Sequence, residues 1–140
     1  MTRTQRFTLA TTGLGLFMIF LDALIVNVAL PAIQWDFKVG EAGLQWVVTG
    51  YSLGMAIAMM SAGTAADIYG RRKLYLAGVA LFMAASAACG MAPSLEVLNL
   101  VRAVQGVGAA TVNATSLAFV SAAFPDPKLK VWAIGIWTAI

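Results

Sequence analysis

The chain has 140 residues, of which 61% are hydrophobic and only 11% charged, with a net charge of +3 and a mean hydropathy of +0.85. A soluble domain carries roughly 25% charged residues, so this composition excludes an ordinary water-soluble fold and selects an all-α membrane protein. Histidine is missing from the sequence and Cys89 is the single cysteine, which excludes histidine-based metal sites and triads, Cys-x-x-Cys sites and any disulfide within the chain.

About 20 mostly apolar residues suffice to cross a bilayer as a helix. The first such segment runs from Phe7 to Ile33. Arg3 and Arg6 precede it as cations precede a secretory signal, but the run is too long, contains Asp22 and Asn27, and lacks a small-x-small cleavage site. Asp22 falls close to the middle of the span, where insertion of a carboxylate costs roughly 2.5–3.5 kcal/mol. Thr11, Gly15, Met18, Ile25 and Ala29 share its face at the helical period. Half of that face is small, so it packs against protein or lines a cavity. Asn27 lies about 140° further round and points elsewhere.

The second span is Gln45 to Ala66, with Gly50-x-x-x-Gly54 and Ser61 with Gly63 as a small-residue pattern that permits close helix approach. The connection that follows reads Gly63-Thr-Ala-Ala-Asp67-Ile-Tyr-Gly70-Arg71-Arg72-Lys73. A link this short makes its two helices antiparallel neighbours. Gly70 is expected to end the helix, and Asp67 to accept hydrogen bonds from Arg71 or a following backbone N–H. The third span, Leu74 to Ala92, has no charge and only Ser86 and Cys89 as mildly polar side chains. It is expected at the periphery facing lipid, with Cys89 a small core or lipid-facing residue.

The fourth span, Leu95 to Ala123, carries Arg102, Gln105, Gly106, Ala109, Asn113 and Ser116 at spacings of three and four. That continuous polar-and-small stripe suits a helix lining an aqueous path, and the alternative for its amides and hydroxyl is interhelical hydrogen bonding. A rise of about 1.5 Å per residue puts Arg102 and Asn27 each about 10 Å outward of the midplane and Asp22 near it. Asn27 is therefore level with Arg102 as a candidate acceptor, and a direct Asp22–Arg102 salt bridge is not expected without side-chain reach or water. Pro93-Ser94 and Pro125-Asp126-Pro127 punctuate the ends. A fifth apolar segment, 129–140, is 12 residues long, too short to cross alone. The expected organisation is one domain, residues 1–140: an incomplete N-terminal transmembrane bundle of four spans and part of a fifth.

Orientation follows from lysine and arginine. With the N-terminus cytoplasmic, that side holds Arg3, Arg6, Arg71, Arg72, Lys73, Lys128 and Lys130, seven cations against Lys38 alone on the other. The chain is therefore expected in the cytoplasmic membrane with its N-terminus inside. Trp35, Trp46, Tyr51, Tyr69, Tyr75 and Trp132 fall near span ends, as amphipathic rings do in the headgroup layer. The cations cluster at helix ends rather than forming a nucleic-acid surface, and no base–nucleophile pair or metal cluster points to an enzyme.

The connection resembles the signature between the second and third helices of the major facilitator superfamily, Gly-x-Leu-Ala-Asp-basic-x-Gly-basic-basic. Gly63, Ala66, Asp67, Gly70, Arg71 and Arg72 match it, whereas Ala65 stands for leucine and Ile68 for the first basic residue. The run from Leu21 through Asp22 and Asn27 to Pro31 resembles the first-helix motif of the 14-helix drug:proton antiporters of that superfamily, with Ala23 and Leu24 departing from it. Leu98-x-x-x-Arg102-x-x-Gln105-Gly106-x-Gly108-Ala109-Ala110 resembles the fourth-helix motif of proton-coupled members. The family's glycine- and proline-rich fifth-helix motif cannot be completed here.

The resemblance covers essentially the whole chain. It implies the first part of a six-helix N-terminal bundle that faces a matching C-terminal bundle, with a small, cationic or amphiphilic substrate between them and the lipid bilayer around. It further implies proton-coupled multidrug efflux driven by the proton gradient, with no cofactor. Asp22 would be the proton- or cation-sensing group, Asn27, Arg102, Gln105 and Asn113 its surroundings, and Gly63, Asp67, Gly70, Arg71 and Arg72 the cytoplasmic gate. An uptake or facilitative transporter, or a non-transporting membrane fragment, are the alternatives.

Overall fold

The computed structural model describes residues 2–139, which form five helices. They are α1 (Arg3–Phe37), α2 (Glu41–Tyr69), α3 (Arg71–Gly90), α4 (Leu95–Ala123) and α5 (Pro127–Thr138). α1 to α4 are long and apolar enough to cross a membrane, so the chain is a multi-pass membrane protein. Ile140, the end of the expected fifth span, lies outside the described residues.

α1 and α2 run past the apolar windows Phe7–Ile33 and Gln45–Ala66, and several helix ends are fixed by capping rather than by hydropathy. Thr2 and Gln5 form a reciprocal capping box at the start of α1. Lys38 closes that helix in the left-handed conformation. Ser94 accepts from the Val97 N–H at the start of α4. Asp126 does the same for Lys128 and Leu129 at the start of α5, behind Pro127.

α4 is the central helix. Half of its apolar window is buried, against 11% for α1. Two small-residue contacts bring its neighbours in. A Cβ on Gly54 of α2 would fall on the Ala103 carbonyl, and one on Gly106 of α4 would fall on the Tyr51 carbonyl. On the other side, a Cβ on Gly108 would lie 2.8 Å from the Phe82 nitrogen of α3. In lipid, where burial of apolar surface does not drive helix pairing, this backbone-level approach supplies the dispersion contact. α3 is mostly exposed, as expected of a peripheral helix, and one narrow face seats it on α4 without any polar group. Gly78, Phe82 and Ala85 are buried, and Phe82 joins Ile19, Ala109 and Val112 in the core.

Candidate functional site

Arg102 and Gln105, three residues apart on α4, project from one face of the helix toward α1. Arg102 Nη1 donates to Asp22 Oδ2 at 2.7 Å and to Gln105 Oε1 at 2.7 Å. Gln105 Nε2 donates to Asp22 Oδ1 at 2.7 Å, closing a three-membered cluster. Arg102 Nε reaches the Val47 carbonyl of α2 at 3.4 Å, and its guanidinium lies over the Tyr51 ring, 4.3 Å from the centroid. Cys89 of α3 donates through Sγ to Gln105 Oε1 at 3.6 Å. Side-chain exposure is 4% for Arg102 and 12% for Asp22. Four helices thus converge on one buried ion pair.

The direct pair was not expected from axial depth. Rise per residue fixes position only along each helix. α1 has 35 residues, more than a straight crossing requires, so its midpoint need not mark the midplane, and arginine's long stem spans the remaining offset. Asn27 is correspondingly not the acceptor: its side chain is exposed and its Nδ2 donates to the Ala23 carbonyl at 2.8 Å. Asn113 is half-buried and about 16 Å along α4 from Arg102, so it does not join the cluster either. Gly106 and Ala109 of the expected stripe are packing contacts, and Ser116 Oγ is buried without a partner.

A cavity of about 410 Å³ borders the cluster, with Asp22, Arg102, Gln105, Ser86, Cys89 and Asp36 among its lining. Cys89 therefore borders this cavity and Gln105. A second, open cavity of about 540 Å³ lies toward the other end, between α1 and α3, bordered by Thr8, Arg72, Tyr75 and Phe119.

The 63–73 connection turns at Gly70, whose φ of 92° is a conformation that side-chain-bearing residues rarely adopt. Arg71 Nη2 donates to Asp67 Oδ1 at 3.4 Å, and Arg71 Nη1 to the Ala118 carbonyl of α4 at 3.3 Å. Both partners of the ion pair are open to solvent, with Asp67 71% exposed. Arg72 borders the second cavity. Around Gly63 there is open space, so this glycine, unlike Gly50 and Gly54, admits no close helix contact.

Residues 12–140 match the family model of the Major Facilitator Superfamily. The chain belongs to that superfamily. The matched stretch of this Major Facilitator Superfamily chain holds both the Asp22–Arg102–Gln105 cluster and the 63–73 connection. Among its relatives, the multidrug resistance protein Stp of Mycobacterium tuberculosis (strain CDC 1551 / Oshkosh) is 69% identical over 140 residues, covering 100% of this chain and 26% of that protein. The drug efflux pump JefA of the same strain is 51% identical over 140 residues, covering 100% of the chain and 28% of the relative. The tetracenomycin C resistance and export protein of Streptomyces glaucescens is 38% identical over 133 residues, 95% of the chain and 24% of the relative. The chain thus spans about a quarter of the length of the curated relatives it matches.

Tyr51, the Val47 carbonyl and Cys89 are the parts of the cluster that sequence reasoning missed. Tyr51 reads as an interfacial aromatic, yet it lies six residues inside the span that begins at Gln45, about 9 Å along the helix. That depth is too great for a headgroup anchor and was the available signal.

Proposed function

We propose that these helices serve a proton-coupled multidrug efflux transporter of the cytoplasmic membrane, with the N-terminus inside. The observation that carries this reading is a carboxylate paired with arginine and glutamine inside the hydrocarbon, at the edge of a cavity. An ionised carboxylate alone in lipid is prohibitive, and a charged pair at this depth is kept for function rather than for packing. Asp22 takes up a proton or meets a cationic substrate, and either event loosens its bond to Arg102. Two states with different charge at one site then couple proton movement to the bundle's rearrangement. The names of the relatives, multidrug resistance and drug efflux, support efflux over uptake. The substrate is a small cationic or amphiphilic molecule held between this bundle and a second one, and the proton gradient replaces any cofactor.

The test is Asp22→Asn in the full-length protein, with efflux of cationic and neutral drugs measured under an imposed proton gradient. Loss of efflux at normal expression is the expected result; wild-type pumping of both drug classes would make Asp22 structural. The Gly70 turn, with Asp67, Arg71 and Arg72, acts in this reading as the cytoplasmic gate. Asp67→Asn should slow cycling while leaving membrane insertion and stability unchanged, because an exposed pair contributes about 0–1 kcal/mol. Undiminished transport by that variant would reduce the cations to orientation signals.

A further inference from the structure

The hydroxyl of Tyr51 is buried without a hydrogen-bond partner, while the face of its ring lies under the Arg102 guanidinium at 4.3 Å. What the site engages is therefore the π-face, not the polar tip. The approach depends on Gly106, since a Cβ there would fall on the Tyr51 carbonyl and push α2 away. One turn before Tyr51, the Val47 carbonyl accepts from Arg102 Nε, so the same stretch of α2 meets both the edge and the face of the cation.

A guanidinium cannot shed its proton. When Asp22 is neutral, the buried Arg102 keeps its charge but loses its ionic partner. What remains are neutral acceptors, namely the Asp22 carbonyl oxygen, the Gln105 oxygen at 2.7 Å and the Val47 carbonyl at 3.4 Å, together with the Tyr51 ring. We propose that Tyr51 is a positioning residue whose ring acts as the substitute counter-charge holding Arg102 in place while Asp22 is neutral. The inference rests on the coupling role of Asp22 proposed above. The physical ground is the ring quadrupole, whose negative face attracts a cation most strongly in a desolvated site. While Asp22 is ionised its own charge offsets part of the guanidinium's field at the ring. Once Asp22 is neutral, the ring meets the full cation and contributes more. The ionisable groups around the pair are Asp22 on α1, Tyr51 itself on α2, Cys89 on α3 and Arg102 on α4. The other acid on the cavity, Asp36, lies about 21 Å along α1 from Asp22, so no second acid in the cluster takes over the task.

A double-mutant cycle in the full-length protein, read as thermal unfolding of detergent-solubilised material, tests this directly. Asp22→Asn mimics the neutral carboxyl. Tyr51→Leu should lower Tm by more in the Asp22→Asn background than in the wild type, and Tyr51→Phe should leave Tm unchanged in both. Equal losses in the two backgrounds, or a Tyr51→Phe variant that behaves like Tyr51→Leu, would overturn the assignment. If Tyr51→Leu does not fold, phenylalanines of increasing ring fluorination at position 51 weaken the π-face while largely keeping the shape. Their Tm should then fall with fluorination more steeply in the Asp22→Asn background, and parallel slopes would refute the role. The readout needs no transport, so it stands or falls separately from the efflux reading.

Discussion

A carboxylate only accepts hydrogen bonds and a guanidinium only donates them, so a side chain lodged between Asp22 and Arg102 must do both. The Gln105 amide meets that demand, with Nε2 toward Asp22 and Oε1 toward Arg102. Glutamate there would have no donor for Asp22 when ionised, and leucine would leave both partners short. Removing one charge strands the other: Asp22→Leu or Arg102→Met should each destabilise the protein by about 3–5 kcal/mol. The double replacement Asp22→Leu with Arg102→Met should lose less than the sum of the single changes, because no buried charge is left uncompensated. Thermal unfolding of the three variants checks this, and strict additivity would mean the two side chains do not depend on each other. Asp22, Arg102 and Gln105 were each legible in the sequence, since polar groups at bilayer depth stand out against an apolar run. Their mutual contact was not. Spacing gives the face and the axial position within one helix, but not how far two helices are shifted or how far arginine reaches.

At the level of whole helices, glycine decides which neighbours α4 can have. Gly54 and Gly106 meet backbone carbonyls of the facing helix, whereas Gly63 sits in open space. Gly54→Val and Gly106→Val should separate α2 from α4, breaking the Arg102–Val47 bond with it, and should show as a large loss of folded yield and Tm. Gly63→Ala should be neutral or stabilising by up to about 1 kcal/mol in Tm measurements, since alanine is the better helix former. Equal sensitivity at all three positions would contradict the close-approach account. The small-residue pattern of α2 was readable in advance, but it marked Gly50, Gly54 and Gly63 alike. Only the facing backbone separates them. α3 shows the converse. This uncharged helix is peripheral, with only three buried residues, but hydropathy is blind to what seats it, the fit of Gly78 and Phe82 against Thr111, Val112 and Gly108.

Across the whole molecule, contacts that owe nothing to hydropathy gather the cationic ends on one side. Gln5 Nε2 of α1 donates to the Ala123 carbonyl of α4 at 3.0 Å. The Tyr75 hydroxyl of α3 donates to the Thr11 carbonyl of α1 at 2.7 Å, and Arg71 reaches the Ala118 carbonyl of α4. The start of α1, the α2–α3 connection and the end of α4 therefore share one end of the bundle, and with them go Arg3, Arg6, Arg71, Arg72, Lys73, Lys128 and Lys130. Lys38, in the α1–α2 link, is at the other end. This seven-to-one segregation of cations is what supports the proposed orientation, with the rich end in the cytoplasm, because lysine and arginine near span ends resist translocation. Single cysteines placed by Lys38→Cys or Arg72→Cys, in a background where Cys89 is serine and other thiols are removed, test the sense of insertion. In intact cells a membrane-impermeant maleimide should label position 38, and should reach position 72 only after permeabilisation. Labelling in the opposite sense would put the Asp67–Arg71 turn outside, where it could not gate the cytoplasmic mouth, and would remove that part of the transport cycle while leaving the buried Asp22–Arg102 pair as it stands.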